Sequence, residues 1–153
     1  MNIYEKLQKI QHELKAPKSQ RNSFGGYDYR SCSDILESVK PLLDKYGCSL
    51  LLSDDVMSIG ADNYLVSIAT LLDVESGLTV ETRSLAREPI NQKGQSAPQM
   101  TGSASSYARK YALNGLFCID DSKDIDSMDN TKQQEPKKRR SRINKGVDEE
   151  CPF

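Results

Sequence analysis

Gln95-Ser-Ala-Pro-Gln-Met-Thr-Gly-Ser-Ala-Ser-Ser-Tyr-Ala-Arg-Lys-Tyr-Ala-Leu-Asn-Gly-Leu-Phe117 has the periodicity of one long helix built to lie on a sheet. Ser96 with Gln99 three residues on has capping-box spacing, and Pro98 falls in the first turn, where its missing N–H costs nothing. At about 100° per residue, Ala104, Ala108, Tyr111, Ala112 and Gly115 share one quadrant, a stripe of small residues suited to packing, with Tyr111 assigned to the core. Ser103, Ser106, Tyr107, Lys110 and Asn114 gather on another quadrant, flanked by Arg109 and Leu113. Gly102 and Gly115 each cost up to about 1 kcal/mol against alanine inside a helix, so close packing or ligand approach is expected at both. The polar quadrant offers hydroxyls, rings and cations to a polyanion, and unpaired N–H groups at the helix start could hold a phosphate.

The elements before this helix follow from two other periods. Asn2–Leu14 carries Ile3, Leu7, Ile10 and Leu14 at helical spacing, and Pro17 follows it. Residues 16–30 then read as a loop of basic, aromatic and Gly residues. Ser31 or Ser33 caps a second helix, with Ile35, Leu36, Val39, Leu42, Leu43 and Tyr46 on one side; Pro41 is expected to kink it and Gly47 to stop it. Ser49–Met57, Tyr64–Val74 and Leu78–Ala86 read as strands, separated by Gly60-Ala-Asp-Asn and Glu75-Ser-Gly77. In the last, Leu78, Val80, Thr82 and Ser84 take one face, and Thr79, Glu81, Arg83 and Leu85 the other. The expected fold is α+β, in the order α-α-β-β-β-α: a three-stranded antiparallel β-meander packed with helices.

Composition divides the chain. Apolar residues make up 37%, below the roughly 45–50% of globular domains. Residues 120–153 hold few sizeable apolar side chains and read as a disordered C-terminal tail, which leaves residues 1–119 as the domain. A core of that size is modest, and oligomerisation would reinforce it. Residues 1–119 carry 13 basic and 13 acidic side chains, so any polyanion site depends on local clustering. Lys15, Lys18, Arg21 and Arg30 form one basic set; Arg83, Arg87, Lys93, Arg109 and Lys110 form another.

Cys32, Cys48, Cys118 and Cys151 lack C-x-x-C spacing, and His12 is the sole histidine, so no zinc site can be written. No Ser-His-Asp set, metal-bound carboxylate pair or ATP phosphate loop occurs, so neither an enzyme nor ATP-driven action is expected. No cofactor is specified, magnesium included. The absence of a signal peptide or apolar span points to a cytoplasmic protein with free thiols and no membrane partner.

Three landmarks make residues 2–120 resemble the phage Erf family of single-strand annealing recombinases. They are Tyr27-Asp-Tyr29 followed by the helix reaching Pro41-Leu-Leu; the β-meander; and Pro98-Gln-x-x-Gly102-Ser-x-x-x-Tyr107-Ala-Arg-Lys-Tyr-Ala-Leu113. Family members usually carry Arg-Arg-Tyr in the last, so Lys110 replaces a bidentate fork with a point charge. The resemblance implies ATP-independent binding of single-stranded DNA, annealing of complementary strands in the bacterial host's cytoplasm, and ring or helical-filament homo-oligomers.

Residue chemistry agrees, because cations neutralise phosphates while aromatic faces stack any base. The candidate DNA contacts are Arg21, Tyr27, Tyr29, Arg30, Arg83, Arg87, Lys93, Ser103, Tyr107, Arg109 and Lys110, with Phe24 as a further ring. Each tyrosine has an alternative role in the core or a subunit interface.

Two tail segments add expectations. Lys137-Lys-Arg-Arg140, Arg142 and Lys145 form a basic cluster (137–145) suited to non-specific attraction to nucleic acid. The tip Asp148-Glu149-Glu150-Cys151-Pro152-Phe153 resembles the acidic, Pro-Phe-ended tip of bacterial single-stranded-DNA-binding proteins. Phe153 would enter an apolar pocket, helped by Pro152, while Asp148, Glu149 and Glu150 face a positive rim. The expected partner is a phage or host DNA-processing enzyme such as an exonuclease. The alternative to annealing is a single-strand-coating or adaptor protein working through this tip.

Overall fold

A computed structural model describes residues 1–90 and 93–120. The tail's basic cluster and Pro-Phe tip lie outside the described residues.

Helix α1, Ile3–Glu13, starts at Asn2, whose Oδ1 accepts from the N–H groups of Tyr4 and Glu5 at 3.0 Å each, while Glu5 Oε2 accepts from the Asn2 N–H at 2.9 Å. The same reciprocal arrangement opens helix α2, Cys32–Tyr46, between Ser31 and Asp34. Gly47 ends α2 at φ +62°, the left-handed conformation that glycine adopts without steric penalty. The helix runs on through Pro41.

Strands β3 (Cys48–Ile59), β4 (Asp62–Asp73) and β5 (Thr79–Arg87) form an antiparallel meander in sequence order. Leu50↔Leu71↔Val80 and Leu52↔Ala69↔Thr82 set its register. Helix α3, Ala97–Phe117, lies across β4 and β5. Its Ala104, Ala108 and Ala112 are buried, as the small-residue stripe requires, and the Thr82 hydroxyl donates to the Ala112 carbonyl at 2.8 Å. Ile3 and Ile10 from α1, Ile35 and Val39 from α2, Leu71 from β4, and Leu113, Leu116 and Phe117 from α3 complete one core. The fold is α+β with all three helices packed on the meander, as expected.

Two expectations need correction. The segment read as a loop contains a hairpin, β1 (Gln20–Asn22) with β2 (Tyr27–Tyr29), in register Asn22↔Tyr27. Its turn is built by Asn22 Oδ1, which accepts from the N–H groups of Phe24 and Gly25, with Gly26 at φ +67°. Tyr111 is not a core residue: it is 45% exposed and, beside Tyr107, lines a groove that opens between β5 and α3.

Alternation in β5 follows the sequence pattern. Val80, Thr82 and Ser84 take the half-buried side facing α3, whereas Thr79, Glu81, Arg83 and Leu85 lie on the opposite, exposed side. That second side of the sheet also carries Leu51, Met57 and Ile59, all exposed.

Candidate nucleic-acid interface

The β1–β2 hairpin hangs over the start of α2, tied there by Gln20 Nε2 donating to Asp34 Oδ1 at 3.3 Å. This brings its tyrosines to the polar flank of α3, about eighty residues later in the chain. A cleft of about 450 Å³ lies between them, lined by Tyr27, Tyr29, Arg30, Ser103, Tyr107 and Lys110 among others. Tyr27 and Tyr29 meet edge to face at 6.3 Å between ring centroids, which leaves ring area toward the cleft. Tyr107 is 54% exposed. No described residue lining this cleft is acidic. Six of the eleven sequence candidates thus converge on one concave surface of rings, hydroxyls and cations.

The other five stand elsewhere. Arg21 pairs with Asp28 at 2.9 Å on the outer hairpin, both side chains more than half exposed. Arg83 lies on the face of the sheet away from α3, paired with Glu81 at 3.2 Å. Arg87 bonds Asp62 at 2.6 Å at the sheet edge, and Lys93 is exposed in the connection before α3. Phe24 is fully exposed at the hairpin tip and does not line the cleft.

Arg109 points the other way from Lys110. Its Nη2 lies 2.7 Å from Asp54 Oδ2 and its Nε bonds both Asp54 oxygens at 3.0–3.1 Å. Ser67 and Ser105 each donate a hydroxyl to the same carboxylate at 2.6 Å. Partial burial pushes the Asp54 carboxyl up, yet the hydrogen bonds from Arg109, Ser105 and Ser67 outweigh it and hold it below the usual range. The Arg109 guanidinium is raised in turn, chiefly by its bond to Asp54. Arg109 therefore fastens α3 to β3, and Lys110 is the member of the basic pair that reaches the cleft.

Sequence reasoning missed Asn22, Ser31, Cys32 and Ser106 as lining residues and Asp54 as the Arg109 partner. Ser106 carried a signal, since it shares the polar quadrant of α3; Asp54, 55 residues before Arg109, carried none. Burial raises the Cys32 thiol pKa, and the nearby Arg109 opposes it. Among the described residues no group of three His, Cys, Asp or Glu side chains could hold a metal ion, and no helix is long and apolar enough to cross a membrane.

The sequence pattern of the ERF superfamily matches residues 3–150. The chain belongs to the ERF superfamily. It is 52% identical over 132 residues to the Essential recombination function protein of Salmonella phage P22, an alignment covering 86% of this chain and 62% of that relative. This ERF-superfamily chain thus spans about three fifths of the length of the curated relative it matches. No solved structure matches it.

Proposed function

We propose that this ERF-superfamily chain acts in phage recombination by binding single-stranded DNA and annealing complementary strands without ATP. The observation carrying this reading is the convergence of Tyr27, Tyr29 and Tyr107 with Arg30 and Lys110 on one cleft with no acidic lining residue. Backbone charge and base faces are common to every sequence, so such a surface holds a strand without selecting its bases. The name of the phage P22 relative, Essential recombination function protein, supports the recombination role. Self-assembly fits the same reading, since Leu51, Met57 and Ile59 leave one sheet face apolar and exposed, a surface a second copy would bury.

Fluorescence annealing of complementary oligonucleotides without ATP tests the proposal. The wild-type chain accelerates pairing, and Tyr27→Ala with Tyr107→Ala each weaken strand affinity about fivefold or more, from stacking worth about 1–3 kcal/mol per base. Arg30→Ala with Lys110→Ala lowers the slope of log affinity against log salt by about 0.7 per phosphate contact removed. No measurable affinity for oligodeoxynucleotides at low ionic strength overturns the reading.

A further inference from the structure

A second groove, of about 680 Å³, lies on the other side of Tyr107, between the outer edge of β5 and α3. Leu85, Arg87, Ser103, Ala104, Tyr107 and Tyr111 line it. Ser103 and Tyr107 line both this groove and the hairpin cleft, so the two adjoin across a single helical turn. We infer that the β5-edge groove is a second nucleotide subsite, and that a bound strand leaves the hairpin cleft by crossing α3 over Ser103 and Tyr107. The inference rests on the single-strand reading of the hairpin cleft.

Three features favour the next nucleotides of the same strand as occupant. The first is continuity, since Ser103 and Tyr107 line both grooves and only one turn of α3 separates them. The second is ring chemistry. Tyr111 lies 6.1 Å from Tyr107 between centroids, tilted by 39°, and is 45% exposed although small-residue packing surrounds it on the helix. A pair of exposed rings, one bordering each side of the divide, is the kind of platform on which successive bases stack whatever their identity. The third is charge. Arg87 stands at the rim with its side chain 56% exposed, and its Nη2 bonds Asp62 in a guanidinium with five donors. No described residue lining this groove is acidic. Ala86 and Ala104 supply the apolar floor that a base edge or sugar covers, and Leu85 borders it at the strand edge.

Fluorescence anisotropy with a length ladder of end-labelled oligothymidylates distinguishes the subsites; the chain has no tryptophan, so the label sits on the DNA. If the groove is a subsite, Tyr111→Ala and Leu85→Glu leave affinity for the shortest bound oligomers unchanged. Both weaken the longer ones about fivefold or more, and Tyr111→Phe, which keeps the ring, restores wild-type affinity. Tyr27→Ala, by contrast, weakens every length. Leu85 is already 44% exposed, so its replacement keeps the inference testable if Tyr111→Ala fails to fold. Unchanged affinity at every length in both groove variants, with Tyr27→Ala still impaired, overturns the second subsite and leaves the hairpin cleft standing. A change in oligomeric mass without a change in oligonucleotide affinity also overturns it, and makes the groove a contact between copies. Loss of binding to all lengths by the wild-type chain instead removes the reading on which the inference rests.

Discussion

Adjacent residues in one helix do opposite jobs here. Lys110 turns toward the hairpin cleft, whereas Arg109 reaches back to Asp54 on the edge strand β3. The reason is angular: a step of about 100° along a helix carries a side chain from one flank to another. Asp54 is four-fifths shielded at its side chain and accepts from two serine hydroxyls besides the guanidinium, so removing Arg109 leaves a partly desolvated carboxylate short of donors. The Arg109 side chain is 42% exposed, which screens the pair and holds its contribution to about 1 kcal/mol. A double-mutant cycle with Asp54→Ala and Arg109→Ala is therefore expected to give a coupling of about 1 kcal/mol in urea unfolding. Additive losses would mean that the two side chains do not bond in solution. On the proposed single-strand reading, Arg109→Ala is also expected to lower affinity for oligonucleotides because Arg109 holds the helix in place, and Asp54→Ala to lower it in the same direction although Asp54 carries no positive charge.

At the scale of elements, what could be read from the sequence was what is encoded locally. The cap at Ser96, the choice of Ser31 or Ser33 at the start of α2, the stop at Gly47, the alternation in β5 and the alanine stripe of α3 each depend on residues within a few positions. The β1–β2 hairpin escaped notice because each strand has three residues and little apolar alternation, and its turn depends on one asparagine side chain. Tyr111 was misassigned because a helical wheel gives the direction of a side chain but not where the neighbouring sheet ends. The cleft itself required knowing that the hairpin folds over α3, which no local pattern states. The helix glycines separate packing from ligand approach. A Cβ at Gly102 would meet nothing within 4 Å, and one at Gly115 would meet only Thr82 Cβ at 4.0 Å. Close packing therefore does not explain Gly102, and Gly102→Ala should stabilise the fold by about 0.4–1 kcal/mol through the unfolded chain. Ala108, fully buried between α3 and the sheet, is the opposite case. Ala108→Leu overpacks that contact and should cost about 1–3 kcal/mol, read as a lower urea midpoint at unchanged slope. A stabilised Ala108→Leu would mean that α3 does not sit this close to β4 and β5.

Across the whole molecule, the first helix is joined to the far turn of the meander by one buried ion pair. Lys6 Nζ lies 2.7 Å from Asp73 Oδ1, 67 residues away, with both side chains almost wholly buried. Asp73 also accepts from the Ser76 hydroxyl at 2.9 Å and the Glu75 N–H at 3.1 Å, which shapes the β4–β5 turn, while the Val74 N–H donates to the Gly47 carbonyl at the end of α2. The first helix and the β4–β5 turn thus close around one carboxylate, with the end of α2 bonded to the next residue. The Lys6 bond, reinforced by Ser76 and Glu75, lowers the Asp73 pKa to about 2, and the Lys6 ammonium is raised chiefly by the same bond. Between the ordinary carboxylate range and about 2, the unfolded chain therefore binds a proton that the folded chain does not. The contribution of Asp73 is fully present above pH ~5, the upper edge of the window in which the unfolded carboxylate titrates, and is lost as pH falls to about 2. Asp34, Asp54 and Glu13 are also lowered and steepen the same acid limb. Lys6 acts at the other end, its share being lost only as pH rises through a value above that of an ordinary lysine. Melting followed by circular dichroism should show a plateau at neutral pH and a steep loss below about pH 5. In Asp73→Asn the plateau falls, because Lys6 is left buried beside a neutral amide, and the acid limb flattens by up to about one proton taken up on unfolding. An acid limb of unchanged steepness in that variant would mean that Lys6 and Asp73 do not join α1 to the sheet in solution.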